Sequence, residues 1–396
     1  MPRLILLDDG RSELGPLGDL RCSFEQRTGI FTGLGRSERV FGEVAQLHAA
    51  ADRLDLASER TGRAPADLSD HSPAIVVNGR LARGGRLIAP DCGVVRTTES
   101  GDFTIAHLEG PDLQRLLESG EPGSIRVEVD GGGVCFRHPW DLLDGLGARI
   151  AADSALCADG TPVPAGVTVI GAHRITIGAG AEVLPSVVLD ASEGPIMIDE
   201  GVQVRPGAVL RGPCSIGRGC VITDRSLIKQ ATVLGPSCKV GGEVGSVVFQ
   251  GYSNKSHDGH LGDALVGEWV NIGAGSDNSN LLNTYAEVVM RLEHDGGLHR
   301  TGRTFMGCVL ADHVKLAIGT RVMTGTTIGT GSMVASSSPP PAFTRRFSWL
   351  TDADPKTYQW RKFAAVCETV MARRGITPGA AYLARLSALH AASTEH

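Results

Sequence analysis

The densest run of chemically able side chains is Tyr252, Asn254, Lys255, His257, Asp258, His260 and Asp263, closely followed by the segment VNIGAGSDNSN at 270–280. Imidazole is the side chain whose ordinary pKa lies nearest neutrality, so His257 is the candidate base for taking a proton from an ammonium nucleophile. The N–H groups of the glycine-rich turn Gly273-Ala274-Gly275 suit a carbonyl oxygen that turns negative during reaction. Lys239, Lys255 and Arg225 are placed to balance a phosphate. Together these groups are equipment for acyl transfer from a thioester to an amine.

A six-residue beat must position them. Aliphatic residues recur at Ile198, Val204, Leu210, Ile216, Ile222, Ile228, Leu234 and Val240, with small or β-branched residues two positions earlier at Val202, Ala208, Cys214, Cys220, Ser226, Thr232 and Cys238. The beat also covers Ile177, Val183 and Leu189, then Val266 and Ile272, then Leu310, Leu316, Val322, Ile328 and Val334. A period of six fits neither a helix stripe at 3.6 nor a hairpin sheet. It fits a parallel β-solenoid in which each hexapeptide is a short strand plus a corner and three make a triangular turn. Gly217, Gly235, Gly241, Gly273 and Gly329, each following an anchor, read as the corners, where glycine accepts unusual backbone angles. The repeat is expected over about 165–335, ended by SSSPPPAF at 336–343.

The beat breaks twice. Between Val240 and Val266 the phase advances by two, which reads as a two-residue insertion around GSVVFQGYSNKSHDGHLGD. Between Asn280 and Leu310 it is lost over an excursion of two strand-like runs around a polar turn. Insertions in a solenoid emerge as loops and build binding faces. A packed prism has no internal cavity, so the polar side chains are expected outside it, in a groove between protomers of a homotrimer.

The flanks differ. The first 150 residues alternate strand-like runs (LILL at 4–7, AIVVNGRL at 74–81) with helix-like ones (about 37–51, and 111–120), an α/β head. Residues 138–156 read as a connector helix, and 354–375 and 377–392 as two helices that cap the open end of the prism or cross a subunit boundary. The expected fold is thus an α/β head domain plus a left-handed parallel β-helix with C-terminal helices, divided at 1–150, 151–340 and 341–396. The 52 Gly against 5% aromatic residues agree with a turn-rich core of small aliphatic side chains. A net charge of -6 with 21% charged residues leaves no footprint for nucleic acid. Nine Cys without a C-x-x-C pair, no signal peptide in MPRLILLDD and no long apolar run point to a cytoplasmic protein without membrane spans.

The stretch NKSHDGHLGDALVGEWVNIGAG (254–275) resembles the acetyltransferase active-site segment of the bifunctional N-acetylglucosamine-1-phosphate uridylyltransferase/glucosamine-1-phosphate acetyltransferase family, H-x-x-Y-x-G-D-A-x-x-G-x-x-V-N-I-G-A-G. The resemblance implies acetyl-CoA as co-substrate and an amino-sugar 1-phosphate as acceptor. It places His257 on the catalytic base and Asn271 and Asn280 on substrate-contacting asparagines. His260 stands where the family has a substrate-binding tyrosine, and Leu281 and Leu282 replace a Tyr-Asp pair; apart from the resemblance, Asn254, Lys255 and Lys239 are further substrate-binding candidates, the lysines by their charge. Arg205 resembles a substrate arginine at a longer distance. LILLDDGRSELGPL (4–17) is similar to the same family's nucleotidyltransferase loop, L-x-x-G-x-G-x-R-x-x-P-L, which implies UTP and Mg²⁺ for the head. The nucleotide candidates are Asp8, Asp9, Gly10, Arg11 and Arg21. VVNGR (76–80) takes the place of a metal-binding Gly-Asp, and two acids in a phosphate loop repel phosphate unless Mg²⁺ intervenes.

Three alternatives belong to other classes: a sugar-1-phosphate nucleotidyltransferase with a structural or regulatory β-helix, a non-catalytic trimeric scaffold, and a zinc lyase similar to the γ-class carbonic anhydrases. The last requires His257 and His260 to meet His294 or His299 on one ion.

Overall fold

A computed structural model describes residues 2–121 and 125–394. The head is a six-stranded mixed sheet of β1 (Arg3–Leu7), β2 (Gln46–His48), β3 (Ala74–Asn78), β4 (Val94–Thr97), β5 (Phe103–Leu108) and β6 (Arg126–Val129), in the order β2-β1-β3-β5-β4-β6. Helices α1 (Gly33–Phe41), α2 (Ala51–Thr61) and α3 (Gly110–Ser119) cover it. The helix expected over 37–51 is therefore two helices with a strand between. Thr32 caps the first by accepting the Gly35 N–H, and Gly42, at φ 70°, ends it in the left-handed conformation that stops helices. The connector is a short 3₁₀ turn (Pro139–Leu142) followed by α4 (Leu146–Ser154).

From Thr168 onward the chain winds as the left-handed parallel β-helix that the beat predicts, and the anchors at 177 through 334 form one buried core. Its three faces follow from the pairing. The first carries Thr168–Gly171, Val188–Ala191, Val209–Arg211 and Leu227–Ile228, the second Ile175–Ile177, Ile196–Ile198, Cys214–Ile216 and Thr232–Leu234, and the third Glu182–Val183, Gln203–Val204, Val221–Ile222 and Lys239–Val240. The strands Glu243–Gly251 and His260–Glu268 run on from the first face to the second.

The readings of the corner glycines and of the first break need correction. The glycines after the anchors are required by close approach rather than by backbone angle: a Cβ on Gly235 would lie 2.0 Å from Gln250 O, and one on Gly273 2.4 Å from Ala317 C. The left-handed residues stand two positions further on, at Gly219, Gly275 and Gly331 but also at Arg225, Ala231, Ser237, Trp269 and His313. The first break is a shortening, not an insertion. Val221 pairs with Lys239, 18 residues on, but Lys239 pairs with Asn254 and Asn254 with Asn271, turns of only 15 and 17 residues. Four residues lost and two gained shift a period of six identically, so phase alone cannot separate them.

The excursion is an antiparallel hairpin of Val289–Arg291 and Leu298–Arg300. With Met306 it lies against Leu14, Leu17, Phe136, Trp140 and the outer side of the second face at Val233, Val248, Leu265 and Val309, so the head docks along the prism. The proline run does not end the repeat: Phe343–Thr344 and Ser348–Leu350 add parallel strands to the second and third faces. Helices α5 (Trp360–Ala372) and α6 (Ala380–Thr394) do not cap an open end. They pack along the corner between those faces, where Trp269 and Phe347 meet Phe363, Met371, Tyr382 and Leu386. No helix among the described residues is long and apolar enough to cross a membrane.

Candidate functional site

Lys239, Asn254, Asn271 and Lys315 are paired in register on the third face and form one column. Tyr252 and Trp269, stacked with ring centroids 4.5 Å apart, form its wall at the corner. Val370, Arg373 and Arg374 at the end of α5 lie across it, and Arg374 Nη2 donates to Asn254 Oδ1 at 2.9 Å. The groove so formed has a volume of about 550 Å³, and no carboxylate lines it among the described residues. Burial pushes the Lys315 ammonium down to about 8 while it donates to Trp269 O. Four basic side chains and two amides around one space give the groove a positive, hydrogen-bonding lining of the kind that suits an anion.

His257 stands at the corner where the third face turns into the first. Its side chain is exposed while its main chain is fixed. Lys255 Nζ donates to His257 O at 2.9 Å and to Gly241 O at 3.2 Å, and Gly275 N donates to Asp258 O at 3.1 Å. Lys255 is not the outward side chain expected of a polar residue here. It pairs with Val240 in the ladder, is 1% exposed, and burial pushes its ammonium down to about 8. Of the three amides in the glycine-rich turn, Gly273 N–H is spent on Leu316 O and Gly275 N–H on Asp258 O. Ala274 N–H is the one not used between turns of the prism.

His260 and Asn280 come together on the other side of the corner. A Cβ on Gly262 would lie 2.6 Å from His260 Nε2 and 2.9 Å from Asn280 Nδ2, so glycine there makes the space these two side chains share. His260 Nδ1 lies 3.4 Å from Glu243 Oε1, which also accepts from Lys229 Nζ at 2.9 Å. Asn280 Nδ2 donates to Asp263 Oδ2 at 2.7 Å, and burial raises the Asp263 carboxyl. The sequence candidates thus fall into two groups on adjoining faces, with His257 on the edge between them. Lys315, Arg373 and Arg374 were missed. Lys315 joins the column only across the excursion, by a 44-residue register that no local spacing reveals. The pair Arg373-Arg374 at the end of a helix was the available signal.

In the head, Asp8 accepts the Gly10 and Ser23 N–H groups. Asp9 accepts from Arg80, from Asn78 Nδ2 and from Arg11 N–H. Burial alone would raise the Asp9 carboxyl, but the Arg80 guanidinium beside it holds it below the ordinary range. Arg80 also bridges to Asp102 at 2.6 Å, so a fixed positive charge lies between the two carboxylates that a divalent ion would need. Mg²⁺ does not fit this cluster. Arg11 pairs with Glu121, and Gly10 has open space where a Cβ would be. Arg21 is far from any such loop chemistry, 1% exposed at the junction with the prism, paired to Asp312 at 2.8 Å and facing Glu268 at 3.7 Å.

Comparison with known proteins agrees with these two parts. Residues 4–161 match a family model described as sugar nucleotidyl transferase. The chain is 30% identical over 200 residues to the Bifunctional protein GlmU of Alkalilimnicola ehrlichii, covering 50% of this chain and 38% of that protein. It is 29% identical over 204 residues to that of Azoarcus sp., covering 45% and 41%. It is 30% identical over 235 residues to that of Acidovorax ebreus, covering 58% and 39%. The chain thus spans about four-tenths of the length of these curated relatives.

Proposed function

We propose that this chain is an acetyl-CoA-dependent acyltransferase that N-acetylates an amino-sugar 1-phosphate, as the resemblance to bifunctional GlmU proteins implies. One observation carries the reading: His257 is exposed on a corner whose main chain is tied in place, beside a groove lined by Lys239, Asn254, Asn271, Lys315, Arg373 and Arg374. The groove holds the phosphate, His257 takes a proton from the amino group as its nitrogen forms the amide bond, Ala274 N–H receives the carbonyl oxygen as it becomes negative, and the C–S bond breaks to release the CoA thiolate, which takes up the proton from His257. Acetyl-CoA supplies the activated acyl group. His260 and Asn280, on the first face, contact a sugar held between two prisms. That arrangement needs a second copy, and the first face leaves Ile170 and Met323 exposed on its outward side. A homotrimer is the assembly we infer.

The match of residues 4–161 favours a second activity, transfer of a nucleotidyl group from UTP to the sugar phosphate. Against it stand Asp8 and Asp9, whose oxygens are consumed by main-chain N–H groups and Arg80. We propose that the head binds sugar phosphate or nucleotide weakly and turns over slowly at best.

The test is a panel of amino-sugar 1-phosphates with acetyl-CoA. His257→Ala should lower kcat by about 10²–10⁴-fold with acetyl-CoA binding retained, the range of positioned base catalysis. His260→Ala should raise KM for the sugar more than it lowers kcat. A His257→Ala enzyme keeping more than about a tenth of its turnover excludes the base assignment. No acetylation of any acceptor, with acetyl-CoA failing to bind, favours the scaffold reading.

A further inference from the structure

Three side chains far apart in sequence converge where the head, the connector and the excursion hairpin meet. Glu13 follows β1, His138 precedes α4, and His299 lies on the hairpin strand Leu298–Arg300; one ligand atom from each lies within 4.8 Å of the other two. We propose that Glu13, His138 and His299 bind a divalent transition-metal ion of the Zn²⁺ class, which fastens the hairpin to the head.

Two of the three ligands, Glu13 and His138, are held by their neighbours. Arg137 Nε donates to Glu13 Oε1 at 2.9 Å, leaving Oε2 directed at His138 Nε2, 3.4 Å away. The His138 ring is stacked on Trp140, with centroids 4.6 Å apart and planes 8° from parallel. Its Nδ1 edge faces Asp141 Oδ2 at 3.9 Å, and that oxygen accepts the Arg137 and His138 N–H groups. At that distance Asp141 makes no hydrogen bond to the ring and acts on it as a nearby negative charge, which favours a cation at the imidazole. The His299 ring is tilted 59° to that of His138 at 5.5 Å, so the two imidazoles do not stack and their edges are free to share an ion.

The donor set selects the ion. Two imidazoles and one carboxylate suit Zn²⁺, whereas Mg²⁺ and Ca²⁺ prefer oxygen throughout. Tetrahedral coordination at about 2.0–2.1 Å needs the ligand atoms to close to roughly 3.4 Å of one another, a shift that side-chain rotation provides. Three protein ligands leave a fourth position for water. His257 and His260 take no part, so this site is unrelated to the zinc-lyase arrangement and independent of acetyl transfer.

The full-length protein, stripped with a chelator and dialysed against micromolar ZnCl₂, should retain one zinc per chain by elemental analysis. Co²⁺ in its place should give visible absorption of tetrahedral strength. His299→Gln and His138→Ala should each weaken Zn²⁺ binding by at least about 100-fold, since even partners one step removed from a metal cost 10–100-fold. His71→Ala, remote from the cluster, should bind zinc as the wild type does. Zn²⁺ should also slow proteolysis within 289–300 in the wild type and not in His299→Gln, with circular dichroism confirming equal fold content. Absence of bound zinc in the wild type, or zinc that persists in a His138→Ala/His299→Gln double variant, overturns the assignment.

Discussion

Lys255→Met replaces an ammonium in the aliphatic ladder by an apolar side chain of similar length, and its effect should depend on pH in a calculable way. The folded state lowers the Lys255 pKa from 10.5 to about 8. The full drop corresponds to roughly 3 kcal/mol, and solvent screening near the corner reduces it to about 2 kcal/mol. The sign follows from proton counting. Below pH 8 the lysine is charged in both folded and unfolded states, and the folded protein carries the whole cost. Between 8 and 10.5 the unfolded chain holds the proton and the folded one does not, so wild-type stability gains as pH rises. The methionine variant has no such gain. Thermal melts of both proteins, followed by circular dichroism from pH 7 to pH 10.5, should show the difference, wild-type Tm minus variant Tm, growing by roughly 2 °C, at about 1 °C per kcal/mol for a chain of 396 residues. At pH 7 the variant should lie close to the wild type, because relief of the charge is offset by lost bonds to Gly241 O and His257 O, about 1 kcal/mol each. Acetyl transfer should fall nonetheless, since those bonds fix the His257 main chain. A Tm difference that stays constant across this range refutes the buried ammonium.

Gly235→Ala should cost about 3 kcal/mol or more, because its Cβ would meet Gln250 O at 2.0 Å; a variant melting within a degree of the wild type contradicts the packing. Arg80→Ala leaves Asp9 and Asp102 facing each other without their cation, at a cost of about 3–5 kcal/mol. Millimolar Mg²⁺ should restore part of the lost Tm in that variant and change nothing in the wild type, and an equal response in both disproves the idea that Arg80 fills the cation position. Burial alone would raise the Glu268 carboxyl, but Arg60 and Arg21 hold it below its ordinary 4.5, so its contribution to stability is present above that pH and lost as pH falls further. Arg21→Met should therefore shift acid unfolding, followed by fluorescence, to higher pH; an unmoved midpoint argues that the pair is energetically silent.

The prism was legible because its signal repeats: each anchor from Ile177 to Val334 is one residue of a six-residue unit, and a chance match is soon broken. Positions where the backbone meets itself were not legible. A glycine needed because Gln250 O lies against it reads the same as one needed for a left-handed corner, as Gly235 and Gly219 show. Lys255 was misplaced because a shortened turn moved it from an outward to an inward position, and no composition rule marks that. Lys239, Asn254 and Asn271 were legible as a group, whereas Lys315, Arg374 and the cluster of Glu13, His138 and His299 depend on contacts between segments that the sequence does not set side by side. In the head, the acids Asp8 and Asp9 were visible but Arg80, which neutralises Asp9, stood where a metal ligand was expected.

The docking of α6 on the head has a consequence for synthesis. Arg385 Nε donates to Asp19 O at 3.1 Å across 366 residues of chain, and Glu59 accepts the N–H groups of Ala381 and Tyr382. Leu20 and Leu56 of the head are buried in the same cluster as Tyr382 and Leu386 of the tail. At ribosomal rates of about 5–20 residues per second, Arg385 is made on the order of 20–70 s after Asp19. The head must wait that long with part of its apolar surface uncovered while the prism winds turn by turn beside it. Until α6 has been made, Leu20 and Leu56 therefore lack the Tyr382 and Leu386 side chains that cover them in the folded protein.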